Sequence, residues 1–198
     1  MAFVLAFSLS LLLLLCFLRV AGPWGFVDRP NARSAHQTPT PVGAGICFGL
    51  SVTVALLVPN GFAGDSALWL LVLQGCGLGV ALVGLIDDRF ALPAWLRLFV
   101  YLIVSTIAGL TLLGTAHVLL LGLAILALGW NINLVNFMDG LDGFVVTQSL
   151  SVSLGLAVIS LFFPEAYGVT HLTLVLVSAL LPFLWLNWPP ARIFMGDS

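Results

Sequence analysis

Asn131-Ile-Asn-Leu-Val-Asn-Phe-Met-Asp-Gly-Leu-Asp-Gly143 closes a long apolar run and packs three Asn, two Asp and two Gly into thirteen residues. On a helical backbone Asn133, Asn136, Asp139 and Asp142 recur every three residues and project from roughly one side. Two acids on one face at the edge of a bilayer repel each other and are costly to desolvate. A cation or a polar ligand is the natural reason to keep them there.

The surrounding composition makes that edge a membrane edge. Of 198 residues, 61% are hydrophobic and only 7% charged, whereas a soluble domain carries about a quarter charged residues. Mean hydropathy is +1.19. These values predict an all-α, polytopic helical bundle forming a single integral-membrane domain. The net charge of −2 favours neither nucleic acid nor an acidic partner. All six bases are Arg. Cys16, Cys47 and Cys76 are far apart in apolar runs, with neither metal nor disulfide spacing, and read as small core residues. No base precedes the first apolar run and no small-residue cleavage site follows it, so it reads as a retained helix.

Seven apolar segments can be traced, at about 2–21, 43–59, 66–86, 94–113, 117–135, 144–163 and 170–187. Each approaches the ~20 residues that cross ~30 Å of hydrocarbon. Those at 43–59 and 170–187 are expected to be short, and tilt or local thinning would accommodate them. Arg29, Arg33, Arg89 and Arg192 fall in or next to one set of alternate loops, with Arg19 and Arg97 just inside adjoining helix ends. The other set carries no base. The positive-inside rule therefore puts the N-terminus outside and the C-terminus in the cytoplasm. Asp28, Asp87, Asp88, Asp139, Asp142 and Asp197 share the cytoplasmic side, while only Asp65 and Glu165 face outward. Six Asp drawn from four separate loops suggest one convergent acidic site.

Three further stretches could supply that site. Loop 22–42 carries Asp28, Arg29, Arg33 and His36, groups that bind phosphate or titrate near neutrality. Pro30, Pro39 and Pro41 keep it extended or turned; its bland reading is a solvated loop whose Arg set the topology. Asp87-Asp88-Arg89 ends a helix, where adjacent carboxylates suit a hard cation such as Mg²⁺. The bland alternative there is a helix end in which Arg89 balances the pair. The tail 187–198 reads as another polar cytoplasmic run, with Gly196-Asp197 able to approach a metal and Arg192 a phosphate partner. His117 and His171 read as interfacial residues rather than ligands, and Gln74 as a hydrogen bonder between helices.

Four of these stretches together resemble the polyprenyl-phosphate sugar-1-phosphate transferase superfamily (glycosyltransferase family 4). It includes phospho-N-acetylmuramoyl-pentapeptide translocase and the polyprenyl-phosphate GlcNAc-1-phosphate transferases. The stretches are Asp-Arg-Pro-Asn-Ala-Arg-Ser-Ala-His (28–36) with Pro-Thr-Pro-Val-Gly-Ala-Gly (39–45), Gly-Leu-Ile-Asp-Asp-Arg (84–89), Asn-x-x-Asn-Phe-Met-Asp-Gly-Leu-Asp-Gly (133–143) and Pro-Ala-Arg-Ile-Phe-Met-Gly-Asp-Ser (190–198). They stand in the family's order and on one expected membrane face. The resemblance implies that Asp87 and Asp88 form the catalytic acidic pair, with Asp88 and Asp197 near Mg²⁺ (or Mn²⁺). It implies that Asn133, Asn136, Asp139 and Asp142 help bind the nucleotide-sugar, with Arg33, His36 and Arg192 as further substrate contacts. The implied partners are a UDP-N-acetylhexosamine and polyprenyl (undecaprenyl) phosphate, in the inner (plasma) membrane with the active face cytoplasmic; a homodimer is one further option. The spelling Arg-Ser-Ala-His leans toward the branch that initiates O-antigen.

The chain also departs from the family pattern. Val42-Gly-Ala-Gly replaces an expected Arg-Gly-Gly-Gly, removing a base, and Arg192 stands where Lys is common. The family continues beyond Gly-Asp-Ser with a His-bearing loop, so the chain is expected to be the N-terminal part of such an enzyme. Two rival classes fit less well. A CDP-alcohol phosphotransferase needs Ala-Arg and further spaced Asp soon after Asp-Gly, whereas Phe144-Val-Val-Thr-Gln follows here. A cation-coupled carrier places ionisable residues near mid-membrane, while these sit in loops and at helix ends.

Overall fold

The computed structural model describes residues 1–30, 38–58, 65–139, 141–163 and 166–196. Among the described residues seven α-helices follow one another: α1 (Ala2–Trp24), α2 (Gly45–Leu56), α3 (Asp65–Phe90), α4 (Ala94–Leu113), α5 (Val118–Met138), α6 (Phe144–Ser160) and α7 (Tyr167–Asn187). Five of them, α1, α3, α4, α5 and α7, are long and apolar enough to cross a membrane. The segment at 43–59 is short, as expected, giving only 12 helical residues. The one at 170–187 is not, because α7 starts earlier, at Tyr167, and runs for 21 residues. α6 is the other short helix, with 17 residues.

Small residues decide which helices meet closely. Ala2, Ala6 and Ser10 of α1, Val52 and Ala55 of α2, and Val175 and Ala179 of α7 are all buried. Ser10 Oγ donates to the carbonyl of Ala179 at 2.7 Å, a contact that only close backbone approach permits. α6 packs on the other side of α7, while α4 bridges α3 and α5. Gln74 of α3 reaches α2, donating to the Gly49 carbonyl at 3.1 Å and to Thr53 Oγ1 at 2.8 Å, as its position in the sequence predicts. His171 is buried with its ring 5.4 Å from that of Phe3, which suits a packing role.

Two short strands, β1 (Val27–Asp28) and β2 (Thr40–Pro41), pair antiparallel, Val27 opposite Pro41 and Asp28 opposite Thr40. The tail adds to their free side. Phe194 N–H donates to the Pro41 carbonyl (2.8 Å), Ala44 N–H to the Phe194 carbonyl (3.2 Å) and Gly45 N–H to the Met195 carbonyl (3.0 Å). The expectation of a polar tail is therefore corrected. Ile193, Phe194 and Met195 are all buried. Ile193 and Met195 join Leu14, Val146, Leu180 and Phe183 in the main hydrophobic core. Burying each such side chain stabilises the fold by roughly 1.5–3 kcal/mol, so apolar anchoring contributes to holding the tail down.

Candidate active site

Residues 131–143 do not continue as one helix. α5 stops at Met138, Asp139 is its C-cap, and Gly143, with a left-handed φ of 71°, starts α6. The four polar residues consequently divide into two pairs. Asn133 and Asn136 stay on α5 and face α4, bordering a cavity of about 410 Å³ with Arg97, Trp130 and Phe137. Asn136 Nδ2 donates to the Tyr101 hydroxyl at 3.0 Å. Asp139 and Asp142 turn to the tail. Asp139 Oδ2 accepts from Gly196 N–H at 2.9 Å, and Asp142 Oδ2 from Ala191 N–H at 3.0 Å.

The adjacent acids at the end of α3 also diverge. Asp87 is buried and faces α4, where Arg97 Nη1 lies 2.6 Å from its Oδ2 and Leu92 N–H donates to its Oδ1 at 2.5 Å. A carboxylate in the last turn of a helix opposes the macrodipole, and Arg97 offsets that charge across the short α3–α4 connection. Arg89 does not balance the pair. Its guanidinium lies against Gly25 and 5.5 Å from the Phe90 ring centroid. Asp88, half-buried, points the other way, toward loop 41–45 and the tail.

Two glycines make the room for Asp88. Gly43 and Gly196 both have left-handed φ, 98° and 78°, a region that residues bearing a Cβ enter only with strain. A Cβ on Gly43 would lie 3.3 Å from Asp88 Oδ2 and 2.9 Å from Leu85 Cδ1. One on Gly196 would overlap the Asp88 carboxylate and come 2.6 Å from Gly43 N. The departure at Val42-Gly-Ala-Gly thus spares the glycine that the local geometry requires.

Asn187 ties these parts together, and nothing in the sequence motifs assigned it a role. Buried at the end of α7, its Oδ1 accepts from Gly143 N–H (2.9 Å) and its Nδ2 donates to the Ile193 carbonyl (2.8 Å). The only hint in sequence was an amide directly before Trp-Pro-Pro, at a helix end. Arg97 and Tyr101 were equally unassigned to the site. Arg192 is exposed beside the tail. Arg33, His36 and Asp197 lie outside the described residues. Among the described residues no group of three or more His, Cys, Asp or Glu is arranged to hold a metal. Among the described residues Asp88 brings an oxygen donor into a cleft too narrow for a Cβ, and Asp197 follows Gly196 in sequence. Hard oxygen donors with open positions suit Mg²⁺.

The order of motifs has a counterpart in known proteins. The family model described as "Glycosyl transferase family 4" matches residues 70–198. The chain belongs to glycosyl transferase family 4. Similar members of the family include the phospho-N-acetylmuramoyl-pentapeptide-transferase of Heliobacterium modesticaldum, 31% identical over 100% of this chain and 69% of that protein. The decaprenyl-phosphate N-acetylglucosaminephosphotransferase of Mycolicibacterium smegmatis is 30% identical over 88% of this chain and 50% of its own length. The undecaprenyl-phosphate alpha-N-acetylglucosaminyl 1-phosphate transferase of Yersinia pestis is 29% identical over 97% and 56% respectively. The chain thus spans between half and about two thirds of the length of these relatives.

Proposed function

We propose that this chain carries the site at which a family 4 enzyme transfers a sugar 1-phosphate from a UDP-N-acetylhexosamine to a polyprenyl phosphate. An acceptor phosphate oxygen forms a bond to the sugar-bearing phosphorus of the donor. The bond from that phosphorus to the oxygen bridging the two phosphates breaks, and UMP leaves with the electron pair. The observation that carries the reading is the meeting of Asp88, Gly43 and Gly196, three of the four family motifs, with the fourth joined through Asp139. The named activities of the relatives, transfer of sugar phosphates or N-acetylglucosamine phosphate, run in the same direction.

The reactants are both anionic, so their approach needs positive charge that is in place beforehand. Mg²⁺, held by Asp88 and Asp197, would supply Lewis-acid stabilisation of the phosphoryl oxygens. Arg192, exposed in the tail, would meet a phosphate. Asp87, committed to Arg97, serves to orient the end of α3, which leaves Asp88 as the carboxylate that holds or deprotonates the acceptor. Asn133 and Asn136 supply polar groups beside the site on the α5 side. A cytoplasmic active face, with the N-terminus outside, follows from the Arg distribution. It lets the donor arrive from water and the acceptor head group from the lipid. Among the described residues the Asp stand in strands, turns or terminal helical turns, which does not favour a mid-membrane carrier.

The test incubates membranes containing the full-length protein with polyprenyl phosphate, Mg²⁺ and a panel of UDP-N-acetylhexosamines. UMP release matched by a lipid-linked sugar is expected. No product with any of these donors would refute the reading.

A further inference from the structure

Resting on that reading, we propose that Asn187 is a positioning residue that sets the metal-binding geometry, and that it does so without touching either substrate. It acts through the backbone of the tail. Its buried amide holds Gly143 N–H with one atom and the Ile193 carbonyl with the other. The turn between α5 and α6 is thereby fixed to the segment that leads to Gly196. Asp142 repeats the link two residues earlier in the tail, at Ala191 N–H, and Asp139 closes it at Gly196 N–H. The three side chains lock the tail at residues 191, 193 and 196 against one turn, 139–143.

The lock matters because the tolerance at its far end is small. Gly196 lies so close to Asp88 that no Cβ fits between them, and the Gly43 nitrogen abuts the same point. A shift of the tail by a fraction of an ångström changes the spacing between Gly196 and Asp88 and so closes or widens this cleft. Side chains that fix such a shell belong to the site's function even when they contact no ligand. Asp139 and Asp142, which the motif resemblance gives to the nucleotide, act here on the tail as well.

The experiment uses the full-length protein, purified in detergent, with Mn²⁺ as a spectroscopic probe for the metal. Asn187→Asp keeps the acceptor for Gly143 N–H and loses the donor to Ile193; Asn187→Leu loses both. Mn²⁺ binding is titrated by electron paramagnetic resonance without substrates, and kcat and donor KM are measured separately. Both variants are expected to weaken Mn²⁺ binding about tenfold and to lower kcat by roughly 100-fold, the loss typical of a 1 Å misplacement. Donor KM should stay within threefold. Asp142→Ala, which cuts the same lock from the other side, should weaken Mn²⁺ binding to the same degree, and stands in on that measurement if both Asn187 variants fail to fold. Unchanged Mn²⁺ binding with a raised donor KM would make Asn187 a donor contact and overturn the proposal, as would a parent protein that binds no Mn²⁺. If the parent binds Mn²⁺ but turns over no UDP-sugar, the functional reading fails while the binding data still decide the role of Asn187.

Discussion

Gly196 is the residue at which one methyl group is expected to decide activity. Its φ of 78° disfavours any side chain, and the added carbon of Gly196→Ala would overlap the Asp88 carboxylate. Strain of about 1–3 kcal/mol at that backbone should lower the melting temperature of the detergent-solubilised protein by a few degrees, while the displaced carboxylate makes activity the larger loss, with kcat/KM down roughly 100-fold. Arg97 presents the opposite balance. Its guanidinium is 30% exposed but its partner Asp87 only 5%. Arg97→Leu should therefore destabilise the protein by about 1–3 kcal/mol, below the full figure for a buried pair because Arg97 is partly screened. A melting temperature within one degree of the parent would remove that role. Residue types announced the acids, since a carboxylate beside hydrocarbon is costly unless it binds something. They did not announce which acid would be committed: the partner of Asp87 lies ten residues away across a turn, and the sequence offered the adjacent Arg89 instead.

Among the elements, the tail departs furthest from its sequence reading. Arg-Ile-Phe-Met-Gly looked like part of a polar run because Asp, Arg and Pro flank it, yet its three apolar residues are buried, two of them in the core formed by α1, α6 and α7. Ile193→Ala should cost about 2–5 kcal/mol, and Asp88-dependent activity should fall with it because the tail positions Gly196. Thermal unfolding monitored beside activity checks both. Long apolar runs were easily read as helices, with boundaries that moved by only a few residues. The stretch 131–143 misled through its spacing. A helical reading put Asn133, Asn136, Asp139 and Asp142 on one face, but Gly143 and the Asp139 C-cap end α5 and turn the two acids toward the tail. Between helices, Gln74 was legible as a hydrogen bonder because a lone amide in an apolar helix needs a partner. Gln74→Leu should destabilise the α2–α3 contact by about 0.5–2 kcal/mol.

For the whole molecule, the topology proposed from the Arg distribution can be tested on intact cells. A membrane-impermeant maleimide should label Thr115→Cys, in the turn between α4 and α5, without permeabilisation. Thr38→Cys, beside β2, should react only after the membrane is opened. The reverse pattern would invert the bundle and place the acids outside. Fold class and membrane character were legible because composition alone sets the solvent. Pairing of distant loops was not, because it depends on backbone hydrogen bonds such as Phe194 N–H to Pro41, which leave no trace in residue type. The central claim is that the cleft around Asp88 performs phospho-sugar transfer. Its most direct test is formation of lipid-linked sugar and UMP by Asp88→Asn in membranes, at saturating Mg²⁺ and donor, beside the parent protein. A drop of roughly 100-fold or more with the protein still folded is expected. Activity equal to the parent's would contradict the account.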